Sequence, residues 1–188
     1  MTESAGESVI DVLDSDHRAI AELLEEAAAA GPDDVEPRCE RVVMEIVRHF
    51  IAEEQYVYPT IREHAANGAR LADDGLAEHR EIEGMLRQLE HVDRSPTQVT
   101  PILAELATAF AAHVNRQHES VAPALVAVRT PQQLIELGDD MIGAEALAPT
   151  RPRTVIANPL LNKIASFAEG WIDKVRDEYS HRGVEEDR

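Results

Sequence analysis

A single cysteine, Cys39, excludes an intramolecular disulfide and fits a reducing compartment. Aromatic residues make up only 4% of the chain and β-branched runs are few, which argues against a sheet-built core. Basic residues are scarce: 18 Lys and Arg face 36 Asp and Glu, for a net charge of −18. A nucleic acid or an anionic membrane needs clustered cations, so neither is expected as a partner. No apolar run approaches the roughly 20 residues of a membrane helix. The Met-Thr-Glu-Ser start is acidic and polar, unlike a signal peptide, and the expected address is cytoplasmic. No glycine-rich phosphate loop, nucleophile–base pair or zinc-finger spacing is visible.

What the 188 residues do contain is Ala, Leu and Glu in long amphipathic stretches, the composition of an all-α protein. Ser8 and Asp11 form a capping pair before a first helix with the stripe Ile10, Leu13, His17, Ile20, Leu24. Gly31-Pro32-Asp33-Asp34 ends that helix, and a second begins near Pro37 with the stripe Val42, Ile46, His49, Glu53, Tyr56. Pro59 falls inside this pattern and predicts a kink. A third helix, about 70–91 with an irregularity at Gly75, carries Leu76, His79, Ile82, Glu83, Leu86 and Leu89. A fourth, from near Pro101 to Val128, carries Leu103, Leu106, Phe110, His113, Gln117 and Val121.

Four such helices with short connections predict an up-down-up-down four-helix bundle over residues 1–130. A shorter fifth helix is expected within 131–148. Residues 149–188 then comprise a Pro-rich linker and a last amphipathic segment, Leu160 to Tyr179, with Trp171 on its apolar face. That face either packs back on the bundle or meets a second subunit or partner helix.

The polar residues on the apolar stripes carry the chemistry. His17, His49, His79 and His113 occur one per helix near mid-helix, whereas His64, His91, His118 and His181 fall at helix ends or off the stripes. His49/Glu53 and His79/Glu83 are i, i+4 pairs, stacked one turn apart on one face. Four imidazoles and two carboxylates in a bundle core are costly to desolvate unless a cation offsets the burden. A metal-free bundle with buried polar pairs is the plain alternative. Six N/O ligands exceed the needs of one tetrahedral zinc, and a carboxylate can bridge, so the count favours a dinuclear site. Without thiolate, imidazole plus carboxylate suits iron first, then manganese or zinc. Tyr56, one turn past Glu53, is read as a core aromatic bonded to a ligand or as a phenolate ligand itself. Tyr58, nearly opposite His49, is read as a packing or loop-facing residue, and Glu54, Glu78 and Glu81 as solvated or supporting acids.

These residues resemble the bacterial hemerythrin-like proteins with His-His-Glu cation-binding helices. The local wording is similar as well, in Asp11-Val12-Leu13 before Asp16-His17-Arg18, in Ala52 to Pro59, and in Glu136-Leu137-Gly138. The linker and last helix resemble an actinobacterial branch. The resemblance implies two non-haem irons with oxo, hydroxo or carboxylate bridges, and O2, peroxide or nitric oxide as small ligands. It implies His17, His49, His79 and His113 as terminal ligands, Glu53 as a bridge, and Glu83 where invertebrate hemerythrins use another histidine. The fourth helix departs from the pattern: Gln117 stands where the family usually supplies a second bridging Glu. His118, at i+5, points about 140° from His113 on a regular helix, unless a kink approaching Pro123 brings it in; Glu119 is poorly aimed. One iron is therefore expected to be held less tightly, or its position partly filled. Two further readings stand beside gas or peroxide chemistry: iron or metal handling, and a scaffold that metal merely stabilises.

Overall fold

The structure is a computed structural model that describes residues 6–148. The linker and last amphipathic helix expected at 149–188 lie outside the described residues. Ser8 starts helix α1 (Val9–Ala28) through a reciprocal capping box, its hydroxyl accepting from the Asp11 amide and the Asp11 carboxylate accepting from the Ser8 amide. Helix α2 (Val35–Ala52) runs without a break into a π turn (Glu53–Val57) and a short helix α3 (Tyr58–His64). Helix α4 (Gly68–His91) follows, then α5 (Pro96–Arg116), a second π turn (Gln117–Val121) and α6 (Ala122–Val128). Helix α7 (Pro131–Leu147) starts at a Thr130–Gln133 capping box.

Among the described residues there is no strand, and the packing partners α1–α2, α2–α4, α4–α5 and α1–α5 close a ring. This is the expected up-down-up-down bundle, with α2–α3 and α5–α6 each acting as one bent rod. The expected kinks are π turns. In each, one backbone bond spans five residues: the Tyr58 amide donates to the Glu53 carbonyl and the Ala122 amide to the Gln117 carbonyl. Pro59 and Pro123 follow immediately, where neither has an N–H to give an ordinary α-helical ladder. Helix α7 lies over α1 and α2 and the first π turn, burying Leu134, Leu137, Met141 and Ala144. Gly138 permits that approach, since a Cβ there would collide with the Glu7 carbonyl oxygen.

The apolar core is split in two. One cluster gathers Ile20, Leu24, Ile46, Phe50, Leu86 and Phe110, and the other gathers Leu13, Val57, Ile61, Ala72, Val121 and Leu125. On every main helix the interruption between the clusters is polar: His17 on α1, His49 and Glu53 leaving α2, His79 on α4, His113 and Gln117 leaving α5. The site is this buried layer.

Candidate metal centre

Helical phase aims the layer inward. His17 follows Leu13 and precedes Ile20 on the same stripe, so the packing that buries its neighbours buries it too. His49, Glu53, His79, His113 and Gln117 are all within 1% of full burial, and His17 is 4% exposed. Ligand atoms of His17, His49, Glu53 and His113 lie within 4.8 Å of one another. The three rings crowd edge to face, with centroids 4.8 Å apart for His17–His49 and 5.7 Å for His17–His113. Both ring nitrogens of His17 and of His113, and Nε2 of His49, are buried without a hydrogen-bond partner. Such groups cost about 1–3 kcal/mol each unless something satisfies them. Three imidazoles with unpartnered Nε2 atoms around a carboxylate form a donor set that a divalent cation satisfies.

Glu53 is the electrostatic hub. Its Oε1 accepts from the Gln117 amide at 2.5 Å and its Oε2 faces His79 Nε2 at 2.9 Å. His49 Nε2 and His113 Nε2 stand 3.5 Å away, beyond a normal hydrogen bond but well within Coulombic reach. Burial alone would raise the Glu53 carboxyl; the imidazoles of His49, His113 and His79 outweigh it and hold the group ionised far below the usual carboxylate range. The opposite balance acts on His17, where burial and then His49 push the imidazole down to about 2. His113 is also lowered, chiefly by burial. His79 differs: burial opposes its charge, but hydrogen bonds to Glu53 and Glu54 raise it to about 9. It is an imidazolium with a carboxylate on each ring nitrogen.

A second ring of acids orients these imidazoles through Nδ1. Asp16 lies 3.3 Å from His49, Glu54 3.0 Å from His79, and Glu78 3.5 Å from His113. This carboxylate–histidine arrangement leaves Nε2 directed at the centre. Arg116 in turn bonds Glu78 and, at 3.4 Å, the Leu71 carbonyl. The Phe50 ring stacks on His79 at 3.7 Å, nearly parallel, and closes the layer towards the first apolar cluster.

The tyrosines exchange the roles expected of them. Tyr58 is the buried one: its hydroxyl lies 3.3 Å from Glu53 Oε2 and 3.1 Å from His79 Nε2, and it accepts from the Gln117 amide at 3.2 Å. Burial, then Glu53, raise its phenol well above the usual range, so it stays protonated. Tyr56 is instead half-buried beside Asp140 of α7. The cause is the π turn, whose extra residue rotates everything after it by about 100° and brings Tyr58 round to the Glu53 face. Gly75 completes the exchange. Helix α4 passes it without the expected irregularity, and a Cβ there would stand 2.5 Å from the Tyr58 ring.

Four expected ligands are not in the four-residue cluster: His79 and Gln117 touch Glu53, whereas Glu83 and His118 lie apart from it. Glu83 is buried on α4, with the Arg87 guanidinium 3.6 Å away. His118 is not in the four-residue cluster, despite the distortion before Pro123, but its ligand atom lies within 4.8 Å of those of Asp14 and His17 in a separate, partly exposed group. The π turn starts at Gln117, which keeps the inward i+4 direction, and the next residue turns out to pair with Asp14 at 3.1 Å. His118 and Asp14 flank a cavity of about 530 Å³ between α1 and α5, lined also by His17, Ala107, Phe110 and Val114. A second cavity, about 280 Å³, reaches His49 past Asp16, Glu45 and Glu145. Glu145 belongs to α7, outside the bundle, and no periodicity in the sequence ties it to the layer.

A helical bundle whose core is interrupted by clustered imidazoles with unpartnered Nε2 atoms around one carboxylate has the donor set of a metal-binding bundle. The family description "Hemerythrin HHE cation binding domain" matches residues 8–125, and the chain belongs to that family. No curated protein and no solved structure compared with the chain matches it.

Proposed function

We propose that the layer binds non-haem iron and that the protein binds or reacts with O2, peroxide or nitric oxide there. The observation that carries this reading is the set of buried donors on His17, His49, Glu53 and His113 with no partner of their own for the imidazole nitrogens facing one another. An imidazole-rich, thiolate-free donor set suits iron and zinc alike, and iron is chosen here by the family's use of it, implied by the resemblance. Bound there, iron would supply a redox couple and open positions for a small exogenous ligand. The chain's own residues do the rest. Asp16 and Glu78 hold the rings of His49 and His113, Phe50 excludes water, and the α1–α5 cavity offers a largely apolar path to His17. The expectation of two irons comes from the family and from the count of six ligands.

A second reading, iron handling without turnover, is favoured by one feature: the cavity leading to His49 is lined by Asp16, Glu22, Glu26, Glu45 and Glu145. Metal analysis with an optical spectrum before and after azide, nitric oxide or peroxide separates the two. A spectrum that responds to these ligands supports the first reading. Labile metal with an unresponsive spectrum supports the second.

A further inference from the structure

The buried imidazoles do not form one equivalent set. His17 has both ring nitrogens without a hydrogen-bond partner. His49 and His113 have an unpartnered Nε2 with an acid behind Nδ1, Asp16 at 3.3 Å and Glu78 at 3.5 Å, whereas neither nitrogen of His79 is among the unpartnered atoms. His79 Nδ1 faces Glu54 at 3.0 Å and its Nε2 faces Glu53 at 2.9 Å and the Tyr58 hydroxyl at 3.1 Å. The four-ligand cluster contains His17, His49, Glu53 and His113 and omits His79; the two smaller groups of possible ligands, Asp14–His17–His118 and Asp16–His49–Glu145, each draw on a histidine of that cluster.

The omitted half of the layer is closed by side chains. Gln117 donates its amide to Glu53 Oε1 at 2.5 Å and to the Tyr58 hydroxyl at 3.2 Å. A carboxylate only accepts, so the amide edge facing Glu53 is the NH2, and the Gln117 carbonyl is left buried without a partner. Tyr58 fills the remaining space, with room for its ring supplied by Gly75. The charges agree with this division. Two divalent ions about 3.5–4 Å apart repel strongly in a dry core unless bridging carboxylates neutralise them. Glu53 is the only carboxylate in the cluster, Gln117 is neutral, and Glu83 stands beside Arg87.

We infer that this protein holds one metal ion per chain, on His17, His49, Glu53 and His113, and that a Gln117–Tyr58–His79 hydrogen-bond network replaces the second ion of a dinuclear centre. The inference rests on the reading of the layer as a metal site. Three imidazoles and one carboxylate leave positions open on a five- or six-coordinate ion for a small ligand.

The test is metal stoichiometry and affinity on the full chain, stripped with chelator and titrated anaerobically with Fe(II), then with Co(II) as a spectroscopic probe. The wild type should retain one ion per chain. Gln117→Glu, which supplies a second carboxylate, should raise this to two. His17→Gln should weaken binding at least about 100-fold, whereas His79→Gln, folded by circular dichroism, should retain one ion with less than a tenfold change. Two ions retained by the wild type would overturn the one-ion inference while leaving the metal reading intact, as would loss of the ion in His79→Gln. No retained ion in the wild type would instead overturn the metal reading itself.

Discussion

The two bent rods of the bundle follow one plan and end in different chemistry. From His49 through Glu53, Val57 and Pro59 to Ile61, and from His113 through Gln117, Val121 and Pro123 to Leu125, the spacings are identical. Each rod turns a π bulge at the residue four after its histidine, and each buries the matched Val and Ile or Leu completely. Several of the residues that differ carry charge or hydrogen bonds. Glu53 is matched by Gln117, Tyr58 by Ala122, and Glu54, bonded to His79, by His118, which faces outward to Asp14. Equal backbones therefore set direction, and the side chains decide that one rod supplies the anion of the site while the other supplies a neutral donor. A π bulge is costly in an isolated helix, and its presence in both rods at the level of the site fits its use in re-aiming side chains.

The largest break in this asymmetry comes from neutralising Glu53. Glu53→Gln should abolish tight metal binding and leave the His79 imidazolium short of its buried partner. Removal of one member of such a buried pair costs about 3–5 kcal/mol, read as a fall in denaturation free energy of the metal-free protein. Gln117→Ala, the equivalent change on the other rod, should cost less, about 1–3 kcal/mol, because it removes a donor but no charge. Equal losses from the two variants would show that charge does not distinguish the rods.

Gly75→Ala addresses the Tyr58–Ala122 difference. In an exposed helix this change gains up to about 1 kcal/mol. Here the new methyl would meet the Tyr58 ring at 2.5 Å, so a net loss of about 1–3 kcal/mol is expected. Tyr58→Phe combined with Gly75→Ala should lose less than the sum of the singles, since both act on the same ring. Strict additivity would contradict the packing.

Titration separates His79 from His17 and His113 in the metal-free protein. His17 has a depressed imidazole, about 2 against 6.5 unfolded, and His113 is also depressed, so the unfolded chain binds protons that the fold refuses. Their effect is a stability that falls as pH drops below about 6.5, by at most about 1.4 kcal/mol per pH unit for each group. His79 runs the other way. Its imidazole is raised to about 9, so its contribution is complete below about 6.5 and is lost as pH rises through 9. Denaturant titrations from pH 5 to 10 should show His79→Gln flattening the alkaline limb and His17→Gln flattening the acid limb. The reverse pattern would overturn an imidazolium at His79 and a neutral imidazole at His17.

How far the site could be read from the sequence follows from where helical phase holds. His17, His49, Glu53, His79, His113 and Gln117 all precede or begin the π turns, so a 3.6-residue period places them in the buried layer correctly. The error begins one residue later. Tyr56 and Tyr58 exchange roles because a bulge adds a residue that no apolar pattern announces, although Pro59 and Pro123 mark its end. His118 is not redirected into the layer, since the distortion begins too late, and it pairs with Asp14 beside His17 instead. Glu83 has the right phase yet stands apart from the cluster, beside Arg87 at i+4, a pair the sequence does display. The acids around the histidines divide likewise: Glu54 and Glu78, on Nδ1 of His79 and His113, are legible as neighbours of the stripe, whereas Glu145 reaches the site only because α7 folds back over α1 and α2.

That fold-back supplies the smallest and most local test of the two rods. On the α5 side, Glu78 behind His113 is joined by Arg116, and although burial would raise its carboxyl, His113 and Arg116 lower it. On the α2 side, Asp16 behind His49 is joined by Glu145, a second acid, with Glu45 beside it and Arg41 and Arg48 also lining the cavity. Burial, then Asp16, push the Glu145 carboxyl up to about 9. The sign follows from its unfolded value of 4.5. The fold binds a proton that the unfolded chain has released, so stability declines as pH rises from about 4.5 to about 9. Glu145→Gln keeps the shape and removes that burden. Because the group is partly exposed, water screens much of the penalty, and a gain of about 1–2 kcal/mol at pH 8 is expected, shrinking towards zero at pH 5. The variant should be measured without metal, so that a cation near His49 does not neutralise the same acids. An unchanged or lower stability at pH 8 would mean that Asp16 and Glu145 do not oppose one another, and that the two rods are supported alike.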